Sequence, residues 1–282
     1  MTAIAVDRAA LRAEAEARAA LPPRRVLADI ALIAGRNLRK VLRNTRLIVF
    51  TTIQPIMQLV LFAYVFTGVA RVQSGSYRDF VVPAVIVQTM VFSGMTTGIG
   101  IANDLHSGMI DRFRSLPIAR SAFLVGRTVS DSLRLGIQAM LLIVVSLVIG
   151  FRFHAGVAAA VGMALVVVVF GMALTAFSAW IGLTVKDPET VQAASFIPIL
   201  PLVFTSSAFA PVKNLPGWMQ PVARYNPVTA AIDSARGLAL GNQRLVVLKE
   251  PGTMTALWHF GVWWVAIVAV FTALAVHRYR LG

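Results

Sequence analysis

The chain has 282 residues, 57% of them hydrophobic and only 13% charged, with a mean hydropathy of +0.75; soluble domains carry about a quarter charged residues, so this is a membrane protein. It has no cysteine, which excludes structural disulfides and thiolate metal sites. Its formal charge of +14 would suggest nucleic acid in a soluble chain, but here the basic residues flank apolar runs, which points to lipid headgroups and topology control and away from nucleic acid.

Residues 1–23 mix Ala, Arg and Glu without an uninterrupted apolar core or a small-residue cleavage pattern, so they read as a flexible N-terminal tail and not as a signal peptide. Over 24–46 the pattern changes. Leu27, Ile30, Ala34, Leu38 and Val41 or Leu42 share one face, and Arg25, Asp29, Arg36, Arg39, Lys40 and Arg43 fall elsewhere, which predicts an amphipathic helix lying along the membrane interface.

The predicted spans follow. Residues 47–68 run 22 positions without a charge, about 33 Å as a helix, enough for a hydrocarbon core of roughly 30 Å. Further spans are expected over about 80–102, 129–150, 155–185, 191–210 and 256–276. The fourth is long enough to tilt, and Pro198 and Pro201 interrupt the fifth. With the N-terminus inside, most Arg and Lys of the short loops fall on the inner side, so both termini are expected in the cytoplasm.

Between the second and third spans lies a charged island, Ile101 to Arg120, IANDLHSGMIDRFRSLPIAR. Asn103 or Asp104 can cap a helix start, Leu105, Met109, Phe113 and Leu116 recur at helical spacing, and Pro117 ends the pattern. His106, Asp111, Arg112 and Arg114 stand on the other edge. Such a helix over 103–117 either lies on the membrane surface or inserts a ridge into a soluble partner's groove, and a merely solvated basic loop is the plainer alternative.

The run Gly108 to Pro117, GMIDRFRSLP, resembles the first cytoplasmic loop of ABC-2 type permeases, most closely the daunorubicin-resistance, DrrB-like, drug exporters. A second block resembles the same family. After the fifth span the order FAPV, LPGW, YNPVT, AIDSARGLALG follows its C-terminal pattern, in which a re-entrant element precedes the last span. Independently of the resemblance, Trp218, Met219 and Val222 make one short apolar face there. Val228, Ile232, Ala235, Leu238 and Ala239 make another, with Arg224, Asp233 and Arg236 opposite, so two short helices dipping into the outer interface are expected.

No GxxxxGK[ST] run is present, so the chain does not cradle a nucleotide triphosphate. The expected span centres lack Asp, Glu, Lys and Arg, which argues against an ion-coupled carrier. Asp131, spaced i,i+4 from Arg127 and i,i+3 from Arg134, reads as a structural ion-pair cluster, with a proton relay as the alternative. Gly94 and Gly98 form a GxxxG pair that reads as close helix packing or as a sliding seam.

The resulting expectation is an all-α membrane protein with six transmembrane helices, an N-terminal interfacial helix and a re-entrant outer segment before the last span. The resemblance implies a non-catalytic permease subunit of an ATP-driven exporter in a bacterial inner membrane, moving hydrophobic or amphipathic compounds. It implies two ABC ATPase subunits as partners, which bind the ATP and Mg, and a second copy of the chain or a related permease. It also implies a coupling set of Leu105, His106, Gly108, Met109, Asp111, Arg112, Phe113, Arg114, Leu116 and Pro117. A substrate pathway at the dimer interface would include Gln192, Phe196, Pro198, Pro201, Phe204 and Phe209, for which lipid-facing aromatics are the ordinary alternative. A lipid or glycolipid exporter on the same scaffold, an ion-coupled carrier and a non-transporting membrane scaffold are the competing functions.

Overall fold

The computed structural model describes residues 35, 45–65, 77–108, 120–241 and 252–281. The tail, almost all of the interfacial segment and residues 109–119 of the island lie outside them. Among the described residues all regular structure is helical: α1 (Thr45–Tyr64), α2 (Tyr77–His106), α3 (Arg120–Val148), α4 (Val157–Val185), α5 (Pro188–Phe204), α6 (Met219–Arg224), α7 (Pro227–Leu240) and α8 (Thr253–Leu281), with a 3-10 turn at Val212–Asn214.

Tyr77–His106, Gly126–Val148, Val157–Val185 and Thr253–Arg278 are long and apolar enough to cross a bilayer. The other two apolar helices are shorter. α5 has 17 residues, about 26 Å, and falls just short of a hydrocarbon core of roughly 30 Å. Pro198 and Pro201 both sit within α5, which ends at Phe204 instead of running to the expected Ala210. α3 starts at Arg120 and not near Val129, so Arg127, Asp131 and Arg134 sit well inside a helix and not at its end.

α2 is the axis of the fold. Its most apolar window is 89% buried, against 11% for α8, so α2 is the centre and α8 the periphery. Lipid tails are as apolar as leucine, so helices in a membrane hold together by close fit and hydrogen bonds. The α2–α4 contact, the most extensive in the fold, has this form. A Cβ on Gly94 would sit 2.7 Å from the Gly171 carbonyl oxygen, and one on Gly182 would sit 2.5 Å from that of Gly98. At the same seam Ser178 Oγ donates to the Met95 carbonyl (2.6 Å) and accepts from the Gly98 N–H (2.7 Å).

The two short helices after α5 differ from each other. α6 leaves Trp218, Val222 and Tyr225 exposed, a composition suited to a headgroup layer. α7 is buried nearly all round, packed on α2, α4 and α8. This corrects the expectation that Asp233 and Arg236 form its polar outer face: they are 4% and 0% exposed, because neighbouring elements cover both sides of the helix and supply polar partners.

Asn226 fixes where α7 begins. Its side chain accepts from Val228 N (2.8 Å), while its Nδ2 donates to the Leu202 carbonyl (2.7 Å) and Thr205 Oγ1 (3.1 Å), groups at the end of α5. Pro227 at the first helical position suits the fixed φ there. Replacing Asn226 with Ala removes the cap and takes a donor from the half-buried Leu202 carbonyl, so the thermal unfolding midpoint in detergent should fall, for a loss of about 2 kcal/mol. An unchanged midpoint would remove Asn226 from this role.

Candidate coupling and transport site

The residues expected to matter for function fall in two regions: the island end of the bundle, and the exposed side of α1 and α5. At the island end, Asn103, Asp104, Leu105 and His106 continue α2 and do not start a new helix. The physical reason is Asp104, which is buried and pairs with Arg127 and is thus unavailable as an exposed N-cap. Past His106 the Ser107 N–H returns to the Asn103 carbonyl and the Gly108 N–H to that of Leu105. Gly108 has φ of +65°, the left-handed position at which glycine closes a helix. His106 is exposed, Leu105 half-buried. Met109, Asp111, Arg112, Phe113, Arg114, Leu116 and Pro117 lie outside the described residues.

The loop therefore leaves α2 at Gly108 and enters α3 at Arg120, and a polar ladder joins the two helices beneath it. Arg127 Nη1 meets Asp104 Oδ2 at 2.7 Å, and its Nη2 donates to the Thr97 carbonyl (3.1 Å). Arg127 Nε lies 3.8 Å from Asp131, within ion-pair but not hydrogen-bond range. Asp131 accepts from Thr97 Oγ1 (2.8 Å) and lies 3.7 Å from Arg134. Arg134 Nη2 donates to the Ser93 carbonyl (2.9 Å), and Ser93 Oγ donates to Gln138 (2.6 Å). Two carboxylates and two guanidiniums balance in charge. Gly100 makes room for the ladder, since a Cβ there would strike the Arg127 guanidinium.

The spacing of Arg127, Asp131 and Arg134 anticipated the structural cluster. Asp104 was read as a helix cap and not as a member of the cluster, because Arg127 lies 23 residues away on another helix, and only its place in a helix too apolar to leave a carboxylate unpartnered could have flagged it.

The α4–α5 turn lies at the same end. Lys186 closes α4 in the left-handed region (φ 66°), and Asp187 caps α5 by accepting from the Thr190 N–H. The Thr190 hydroxyl and N–H, helped slightly by the charge of His106, hold the Asp187 carboxyl below its usual range.

On α5, Gln192, Pro198, Pro201 and Phe204 are exposed, while Phe196 turns inward against Phe92 of α2 (centroids 5.9 Å apart). Phe204 stacks on Phe209 at 5.6 Å, and Phe209 lies 5.6 Å from Phe62 of α1. The expected pathway residues thus divide. Phe204 and Phe209 meet at the end away from the island, Gln192, Pro198 and Pro201 face outward, and Phe196 is a packing residue. Phe62 and Phe92 were not legible as partners, because ring contacts across helices leave no local signal.

The family description "ABC-2 type transporter" matches residues 28–240. The chain belongs to the ABC-2 type transporter family. It is 32% identical over 231 residues to the daunorubicin resistance ABC transporter permease protein DrrB1 of Streptomyces coeruleorubidus, covering 81% of this chain and 77% of that relative. It is 24% identical over 255 residues to a probable doxorubicin resistance ABC transporter permease protein, DrrC, of Mycobacterium tuberculosis, covering 89% of both. It is 26% identical over 216 residues to a putative transport permease, ycf38, of Porphyra purpurea, covering 75% and 74%. The matched region includes the α2–α3 ladder, the α2–α4 seam and α7, so these belong to the ABC-2 portion of the chain.

Proposed function

We propose that this chain is the permease subunit of an ATP-driven exporter that moves hydrophobic or amphipathic compounds, drugs or antibiotics among them, out of a bacterial cytoplasm or inner leaflet. The carrying observation is the 32% identity to a relative named for daunorubicin resistance. Six spans cross the inner membrane, α1 and α5 completing the set, with the bilayer thinning slightly to match the shorter α5, and both termini face the cytoplasm. Each of two copies docks one ABC ATPase through Leu105 to Pro117, and those partners hold the ATP and Mg.

The mechanism follows from the neck of that loop. Asp104 and Arg127 tie α2 to α3 immediately beneath it, so the pair moves as one lever when the ATPases close. α2 packs closely on α4 along the glycine seam, which carries the displacement through the membrane. At the outer end, movement of α5 parts the apolar route beside Phe204 and Phe209.

Replacing Asp111, Arg112 and Phe113 together with alanine should abolish substrate-stimulated ATP hydrolysis by the reconstituted complex. The variant should still insert, because these residues lie outside the spans. Undiminished ATP-linked export would refute the docking assignment. Stimulation by lipid or glycolipid, but by no drug-like compound, would move the substrate class to lipid.

A further inference from the structure

Ser207 stands three residues beyond the end of α5, and all three of its polar groups engage α7. Its N–H donates to Thr229 Oγ1 (3.1 Å), its Oγ donates to Asp233 Oδ1 (2.8 Å), and its carbonyl accepts from Arg236 Nη2 (2.7 Å). Arg236 is fully buried. It also lies 3.3 Å from Asp233, donates through Nε to the Phe80 carbonyl (2.9 Å), and places its guanidinium carbon 3.6 Å from the centre of the Phe80 ring. One guanidinium thus joins three elements: α7, the turn after α5, and the first turn of α2.

Burying such a pair is costly, and an apolar pair of equal volume would often be as stable, so stability alone does not account for it. The planar fork, which reaches two carbonyls and a carboxylate at once, is something lysine does not reproduce. Apart from these bonds and those of Asn226, α5 touches α7 only slightly. α5 also packs on α2 and α4, with Ile199 and Val203 buried, but its attachment to α7 is made by directional contacts that a small displacement breaks. Phe209, whose ring closes against Phe62 and Phe204, follows Ser207 by two residues.

We infer that Arg236, Asp233 and Ser207 form a latch that holds the outer end of α5 closed against α7 and opens when α2 shifts, which makes Arg236 a positioning residue of the transport cycle. The latch rests on the reading that α2 relays motion and that α5 borders the route. Its signal enters at Phe80, on the helix whose other end carries the docking loop, and leaves at Phe209.

The natural absence of cysteine permits a direct test. Ala208, beside Ser207 and 2% exposed, is replaced by Cys in the complete complex with its ATPase, and labelling by a membrane-impermeant maleimide from the outer side is timed. In the parent, labelling should be slow without nucleotide and fast with ATP. In Arg236→Lys and in Ser207→Ala, which removes only one hydroxyl, labelling without nucleotide should be about tenfold faster. A Cys at Ala239, buried elsewhere on α7, should stay slow throughout. Equal rates at position 208 in parent and both variants, or equal acceleration at position 239, would overturn the latch. Fast labelling of both variants with no ATP effect in the parent would uphold the latch and count against relay through α2.

Discussion

Arg127→Met should be among the most damaging single substitutions in this protein, lowering stability by about 3–5 kcal/mol. The side chain is 12% exposed and Asp104's is 7%, so the substitution withdraws a guanidinium from a carboxylate that water barely reaches. It also leaves the Thr97 carbonyl without its second donor and Asp131 with Arg134 as its remaining cation. Adding Asp104→Leu to Arg127→Met should restore more than half of the loss, because an apolar pair in place of a buried ion pair is often neutral. Thermal unfolding midpoints of the three purified proteins decide this. A double variant as unstable as the single one would show that Arg127 acts through Thr97 and Asp131 and not through Asp104. Because the same pair ties the neck of the loop proposed to dock the ATPase, the rescued double variant should fold and yet transport more weakly than the parent.

The long helices were legible because continuous apolar runs bounded by charge permit little else in lipid. Their ends were not. Gly108 and the Asp187 cap mark termini by local chemistry that sequence does carry. The extension of α2 to His106 depends instead on Asp104 finding Arg127 across a helix interface. Arg236 shows the same limit more sharply. On a helical wheel it falls only about 40° from Ile232, on the flank of the apolar face, and the default for a long charged side chain there is to reach solvent. Its burial depends on Phe80 and Ser207, 156 and 29 residues distant, which no periodicity reports. The candidate pathway divided for a related reason. Proline and aromatic content marked α5 as unusual, but which ring turns inward is set by Phe62 and Phe92 on other helices. The proposed docking residues were suggested by a family resemblance, whereas the ladder beneath their loop follows from packing.

The α2–α4 seam yields the other large effect, and it separates Gly98 of the GxxxG pair from a helical glycine that meets no neighbour. Gly98→Ala places a methyl group against the Ser178 carbonyl and hydroxyl, so α2 and α4 must part. The same displacement breaks the bonds from Gly98 N–H to Ser178 and from Ser178 to Met95. We expect a loss of about 3 kcal/mol in thermal unfolding, at the upper end for an overpacked contact. Gly136→Ala on α3 meets nothing within 4 Å, so it should stabilise by about 0.5–1 kcal/mol, as alanine does inside a helix. Equal effects at both positions would mean that the seam is not a steric constraint. A seam this close also limits how the permease can move. α2 can slide or rotate along α4 only where glycine backbones face each other, since separating them exposes the Ser178 bonds to lipid that offers no replacement. In the proposed cycle, motion driven through α2 therefore shifts it along α4 with contact maintained, and an interhelix crosslink placed on this seam should leave ATP binding by the proposed partner intact while stopping export.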